Sequence, residues 1–185
     1  MMFLRVLLFL LAYLTATFIL GFIAAATAAP RAYVLLGQGS VVTSAGMIPL
    51  ASDVRKLGVI TTIHNWNAYG DVVASIRKLT TGTPVVIIGY SLGANATTWI
   101  SNAVGKRKIA LIVAYDPSIW SAVRPAGSNV NRLLLYRNGG PSPWGHARIP
   151  GSMVETTETL MPHLAVPFSA RLHELTLKAV AKLVR

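Results

Sequence analysis

The pentapeptide Gly89-Tyr90-Ser91-Leu92-Gly93 contains a serine whose surroundings suit nucleophilic attack on a carbonyl carbon. It matches the pattern G-x-S-x-G, in which the serine stands at a sharp turn between a strand and a helix. Such a turn needs small neighbours, which Gly89 and Gly93 provide, and it presents the hydroxyl at the N-terminus of the helix. Free N–H groups and the helix dipole favour a developing oxyanion there. The motif therefore predicts Ser91 as a nucleophile; the alternative is an ordinary serine in a strand-to-helix turn.

The segments around this motif have the patterns that it requires. The apolar run 84–88 predicts a buried strand before the serine, and residues 94–104 predict a helix after it. Apolar runs and amphipathic stretches alternate along the rest of the chain, which indicates parallel β-α-β units, and the continuously apolar strands predict a sheet covered on both faces. The predicted fold class is α/β, a doubly wound, mostly parallel five-stranded sheet with helices on both faces. The predicted strands are 32–36, 59–63, 84–88, 109–113 and 133–136, the predicted helices are 49–57, 71–79, 94–104 and 169–184, and the predicted long loops are 117–131 and 138–166.

The N-terminal segment predicts export. Residues 6–29 carry no charged side chain, and about 20 apolar residues suffice to cross a bilayer as a helix. Arg5 precedes the run, and Ala26-Thr27-Ala28 fits a small-residue cleavage site near its end. Residues 1–29 are thus interpreted as a signal peptide or a membrane anchor. Both alternatives make residues 30–185 an exported domain that is periplasmic, secreted or membrane-anchored.

The composition limits the partners and the site chemistry. The formal net charge is +11, from 17 basic and 6 acidic residues, which favours association with an anionic membrane or envelope surface. The basic residues are scattered apart from Lys106-Arg107-Lys108, so a solvated basic surface is the preferred interpretation. No nucleic-acid-binding motif is found, and the absence of cysteine excludes disulfides and cysteine metal sites.

With its strand–turn–helix setting, the motif around Ser91 resembles that of the α/β-hydrolase superfamily, and the resemblance extends from about residue 31 to residue 185. Within the superfamily the chain is most similar to the small lidless serine esterases, lipases and thioesterases, cutinase-like in size. The resemblance implies a minimal α/β-hydrolase fold in which residues 32–36 match the third family strand. It implies no metal and no cofactor.

The resemblance also implies that a catalytic carboxylate follows the serine in the chain. Asp116 stands just after the predicted strand 109–113, at the carboxyl end where active sites of such sheets lie. Many family members place the acid one strand later, where this chain has Asn138-Gly139-Gly140 and no carboxylate. Thioesterases and some lipases use the earlier position, so Asp116 is the predicted acid. The alternative is an aspartate that caps a turn before Pro117.

The base and the oxyanion hole are assigned on the same resemblance. Family members commonly carry the base in a loop before the last helix, where this chain has His163; His146 is the alternative. The oxyanion hole is expected from the backbone N–H of Leu92 and that of Gln38, in the loop Gly37-Gln38-Gly39 after the first strand.

The function implied by these residues is hydrolysis of carboxylic esters or thioesters through an acyl-enzyme intermediate. The catalytic residues would be Ser91, Asp116 and His163, and the substrate a small-molecule or lipid-like ester. Two alternatives remain: an acyltransferase that uses the same triad, and a non-catalytic exported protein of this fold that binds an anionic envelope component.

Overall fold

The computed structural model describes residues 28–39, 41–122, 124–139, 149 and 154–184. Residues 1–27, which hold most of the predicted signal peptide or anchor, lie outside these residues, as does the alternative base His146. Among the helices of the described residues, none combines the length and the apolar character needed to cross a membrane.

One parallel sheet organises the described chain. Its six strands lie in the order β2-β1-β3-β4-β5-β6, so the chain first builds outward from β1 to β2 and then returns to the other side of β1. This reversal opens a crevice beyond the carboxyl ends of β1 and β3, where sheets of this kind bind ligands. The strands are β1 (Arg31–Leu36), β2 (Ile60–Asn65), β3 (Val85–Tyr90), β4 (Leu111–Tyr115), β5 (Leu133–Asn138) and β6 (Val154–Thr159).

Helices cover both faces of the sheet. The long helices are α1 (Met47–Lys56), α2 (Tyr69–Lys78), α3 (Leu92–Ala103) and α4 (Ala170–Ala181). Successive side chains of a strand point to opposite faces, so Val86 and Ile88 of β3 pack in a core with α1 and α4, whereas Val85 and Ile87 pack in a second core with α2 and α3. The predicted α/β class, doubly wound with helices on both faces, is confirmed.

The predicted number of five strands was wrong. The sixth strand, β6, lies within the stretch 138–166 that was predicted as a long loop. It is an edge strand whose side chains are exposed or half-buried, so it needs no apolar run, and Glu and Thr replace the Val, Ile and Leu of the inner strands. Two ion pairs help to hold it: Arg132, just before β5, pairs with Glu155 at 2.6 Å, and Arg137 of β5 pairs with Glu158 at 3.1 Å. Its β-branched valine and threonines were the local signal for a strand.

Candidate active site

Ser91 occupies the turn between β3 and α3 in a strained backbone conformation. Its φ is 54° and its ψ is −121°, a region that residues other than glycine rarely adopt and that costs about 1–3 kcal/mol. The N–H of Ser91 donates to the carbonyl of Tyr115 at 2.9 Å, which ties the turn to the end of β4. Leu92 is the first residue of α3, so its N–H belongs to the helix end that has no intrahelical acceptor.

Two glycines allow the close packing around this turn. A Cβ atom on Gly89 would lie 2.2 Å from the carbonyl oxygen of Gly93, and one on Gly93 would lie 2.3 Å from the carbonyl oxygen of Leu35. Real Cβ contacts are never this short, so α3 rests directly on the backbones of β1 and β3. Gly89 and Gly93, predicted as part of the serine turn, therefore stand at the point of closest approach between helix and sheet.

Replacing Gly93 by alanine is expected to lower the free energy of unfolding by about 1–3 kcal/mol, because the methyl group would have to displace backbone of β1. Gly70, near the start of α2, is a matched control because a Cβ atom there would meet nothing within 4 Å. The Gly70→Ala variant should be unchanged or more stable by up to about 1 kcal/mol. Urea unfolding of both variants measures the difference. Equal stability of the two would contradict the close packing.

The structure brings Ser91, His163 and Asp116 together in one line of hydrogen bonds. The Nε2 atom of His163 lies 3.0 Å from Oγ of Ser91, and its Nδ1 atom lies 2.6 Å from Oδ2 of Asp116. An ionised carboxylate can only accept a hydrogen bond, so Nδ1 carries the proton and Nε2 is left as the acceptor for the serine hydroxyl. The three residues have relative exposures of 8%, 5% and 0%, so the line is nearly closed to bulk water except at the serine.

Asp116 is held by the strand next to its own. Its N–H donates to the carbonyl of Tyr136 at 2.6 Å, and its Oδ1 atom accepts from the N–H of Asn138 at 3.1 Å. Its φ of 43° turns the chain sharply at the end of β4. The last residue of β5 therefore contributes a backbone N–H to the carboxylate of Asp116.

Tyr90 positions His163 through a ring contact and a hydrogen bond. The two rings stack with centroids 5.0 Å apart, and the Tyr90 hydroxyl donates to the backbone carbonyl of His163 at 3.1 Å. Burial, with a further contribution from the negative charge of Asp116, raises the pKa of Tyr90 well above its usual value. The phenol thus keeps the proton that it donates. This role of Tyr90 was missed in the sequence, although the residue lies inside the serine motif.

A 3₁₀ segment, His163–Phe168, carries the histidine and is fastened to both neighbouring helices. The ring of His173, on α4, hydrogen-bonds through Nε2 to the carbonyl of Pro167 at 2.8 Å. Burial lowers the pKa of His173, which favours the neutral ring in this half-buried place. On the α1 side, a Cβ atom on Gly46 would lie 2.1 Å from the Pro167 carbonyl oxygen, so the segment packs against bare backbone.

A cavity of about 310 Å³ opens at the serine. Gln38, in the loop that follows β1, lines the cavity. Leu92, at the start of α3, is buried. The β1 loop is held at two points: the N–H of Gly37 donates to the Ser44 hydroxyl at 2.9 Å, and the Thr43 hydroxyl donates to the carbonyl of Gln38. The residues that line the cavity are Gln38, Gly39, Thr43, Tyr90, Ser91, Ser118, Trp120, His163 and Leu164.

Asn95 fixes the opposite wall of this cavity. Its side chain is fully buried in the first turn of α3, and its amide donates to the carbonyls of Ser118 at 2.8 Å and Ser121 at 2.9 Å. The same side chain accepts from the N–H of Ser118 at 2.9 Å. These bonds hold the loop that carries Trp120 beside Ser91. Sequence reasoning missed Asn95, although a polar residue on the buried side of a predicted helix was a usable signal.

Among the described residues, no cluster of three or more His, Cys, Asp or Glu side chains is arranged to hold a metal ion.

Comparisons with known proteins bear on the fold. No protein-family model and no curated protein matches the chain. A solved structure from Xanthomonas campestris pv. campestris, assigned to the hydrolases of the alpha/beta superfamily, is similar with 14% identity and a TM-score of 0.59, over 83% of this chain and 97% of that one. Est1E from Butyrivibrio proteoclasticus is similar with 11% identity and a TM-score of 0.58, over 87% of this chain and 89% of that one. At these identities the similarity establishes a shared fold.

Proposed function

Because this chain has the α/β-hydrolase fold, we propose that it is a serine hydrolase that cleaves carboxylic ester or thioester bonds. The observation that carries the proposal is the continuous hydrogen-bonded line from Ser91 through His163 to Asp116, with both distances within hydrogen-bond range. A serine hydroxyl alone is a weak nucleophile, and a base at this distance is what activates it.

Acylation begins at the serine. Oγ of Ser91 attacks the carbonyl carbon of the substrate while Nε2 of His163 takes the hydroxyl proton. The imidazolium that forms is stabilised by the carboxylate of Asp116 on Nδ1. The tetrahedral intermediate then collapses, and His163 returns the proton to the departing alcohol or thiol, which leaves an ester on Ser91.

The oxyanion and the second half of the reaction use the same parts. The N–H of Leu92, reinforced by the dipole of α3, and the N–H of Gln38 stabilise the negative charge on the carbonyl oxygen. Water then enters, His163 takes its proton, and the hydroxide attacks the acyl carbon. The carboxylic acid is released, and the proton returns from His163 to Oγ of Ser91.

The rim of the cavity favours a substrate with an apolar group. Trp120 and Leu164 line the cavity, yet they are 62% and 56% exposed, and Val42 in the loop after β1 is 86% exposed. Binding of an acyl chain against these side chains is favourable, because it removes apolar surface from water. A cavity of about 310 Å³ is at the small end of ligand sites, so a short or medium acyl group fits within it.

A fluorophosphonate probe tests the proposal, because it forms a covalent bond only with an activated serine. The purified full chain is expected to be labelled, and the Ser91→Ala variant is expected not to be labelled at all. Ser118→Ala is the matched control, since Ser118 lines the same cavity, and it should be labelled like the wild type. Absence of labelling in the folded wild type would contradict the proposal and favour a non-catalytic binding protein.

A further inference from the structure

A second cavity, of about 720 Å³, lies where the strands begin, at the end of the sheet opposite Ser91, and is strongly basic. It opens among the loops where β3 and β4 begin, and Pro84 and Ala110 form part of its wall. The four cationic residues that line it, here called the basic edge, are Arg77, Lys106, Arg107 and Lys108. In the sequence only three of these are neighbours, and the fold adds Arg77 from the end of α2.

The two arginines of the basic edge are held in place by hydrogen bonds that do not neutralise their charges. The Arg107 guanidinium donates to the backbone carbonyls of Leu79, Thr80 and Thr83 at 2.8 to 3.3 Å. That of Arg77 donates to the carbonyl of Ala103 at 2.6 Å. Carbonyl oxygens carry no net charge, and within the described ranges none of the four cations forms an ion pair with a carboxylate. Within the part of the chain that the structure describes, the cavity therefore presents four positive charges that no carboxylate pairs.

The chain enters the domain at this same edge. The N–H of Arg31 donates to the carbonyl of Pro84 at 2.9 Å, and the carbonyl of Pro30 accepts from the N–H of Ile60. The last residue of the uncharged run 6–29 is thus two residues from Arg31, whose N–H is hydrogen-bonded to the wall of the basic cavity. The catalytic serine lies at the far end of strands about 20 Å long.

We propose that the basic edge binds the anionic headgroups of a phospholipid bilayer and that the catalytic cavity faces away from that bilayer. An apolar segment that enters a membrane would bring Arg31 and Pro84 to the headgroup layer, and a neutral or acidic edge would gain nothing there. Lysine and arginine near an anionic leaflet are each attracted to it, so the basic edge and the apolar segment favour the same orientation. This proposal is independent of the catalytic one.

The absence of cysteine allows one label at a chosen position. Thr81→Cys places a fluorophore on the wall of the basic cavity, and Val42→Cys places it at the catalytic edge, on a side chain that is 86% exposed. The full chain is reconstituted into vesicles made of phosphatidylcholine alone or of phosphatidylcholine with phosphatidylglycerol. A lipid whose headgroup carries a nitroxide serves as the fluorescence quencher. Quenching is expected to be strong at position 81, to rise with phosphatidylglycerol, and to be weak at position 42.

Removal of single charges distinguishes the contribution of the basic edge to membrane binding from that of the apolar segment 6–29. Lys106→Gln and Lys108→Gln, both at exposed positions, should each lower quenching at position 81 in the anionic vesicles about twofold or more. Arg171→Gln, exposed at the start of α4, is the matched loss of one charge and should leave quenching unchanged. Ester hydrolysis measured in the same samples should not change. Stronger quenching at position 42 than at position 81, or equal quenching in both kinds of vesicle, would overturn the proposal.

Discussion

Replacing His163 by alanine is expected to lower kcat/KM for a short-chain acyl ester by about 10⁴-fold or more. The imidazole lies within hydrogen-bond distance of Oγ of Ser91, at 3.0 Å. Without it, no base takes the serine proton as the bond to the carbonyl carbon forms, and no acid protonates the leaving group. The residual rate would come from substrate binding and from the oxyanion hole. Initial rates with a chromogenic ester measure the loss.

His146→Ala is the control for that experiment, because His146 is the other histidine considered as the base and lies outside the described residues. Its kcat/KM should stay within about threefold of the wild type, since His163 already lies 3.0 Å from Oγ of Ser91 and would serve as the base. A large loss in His146→Ala together with an active His163→Ala enzyme would assign the base to His146.

Much of the fold could be predicted from local patterns, because the inner strands are buried on both faces. Every residue of β3 is buried, and its first four residues form an unbroken run of Val and Ile that favours a buried strand. The same run ends at the serine motif, so the strand and the turn were predicted together. β6 was not predicted, because an edge strand pairs on one side only and its exposed or half-buried side chains form no apolar run.

The residues of the candidate site differ in how strongly the sequence indicates them. Ser91 has a local motif, and Asp116 and His163 could be named only because few carboxylates and histidines follow it in the family order. The groups that position them are invisible locally: Tyr90 reaches His163 across 73 positions of the chain, and Asn138 reaches Asp116 across 22. Such bonds depend on the register of neighbouring strands and on the path of loops, and neither is encoded in a short segment.

The two proposed sites lie at opposite ends of the strands. At the carboxyl ends of the strands, loops that need no regular geometry bring Asp116, His163 and Ser91 together. At the amino edge, tight connections gather lysine and arginine around a second cavity. A strand of five or six residues separates the two ends, so under the two proposals a substitution at the basic edge is expected to change membrane attachment without disturbing Ser91 or His163.

Replacing Asp116 by asparagine is expected to lower kcat by about 10⁴-fold while leaving the fold intact. Asparagine has nearly the shape of aspartate, so the N–H of Asn138 can keep an acceptor in this fully buried place. An amide group facing Nδ1 of His163 can donate to it, however, and that favours the tautomer with the proton on Nε2. Such a ring cannot accept the proton of Ser91, and no negative charge remains to stabilise the imidazolium.

Asp71→Asn is the matched control, since Asp71 is an exposed carboxylate in the first turn of α2 and makes no ion pair among the described residues. It should keep the wild-type kcat. Urea unfolding of both variants separates loss of activity from loss of structure. A folded Asp116→Asn enzyme with a kcat within about tenfold of the wild type would remove Asp116 from the catalytic line. The bond of 2.6 Å to His163 would then serve stability alone.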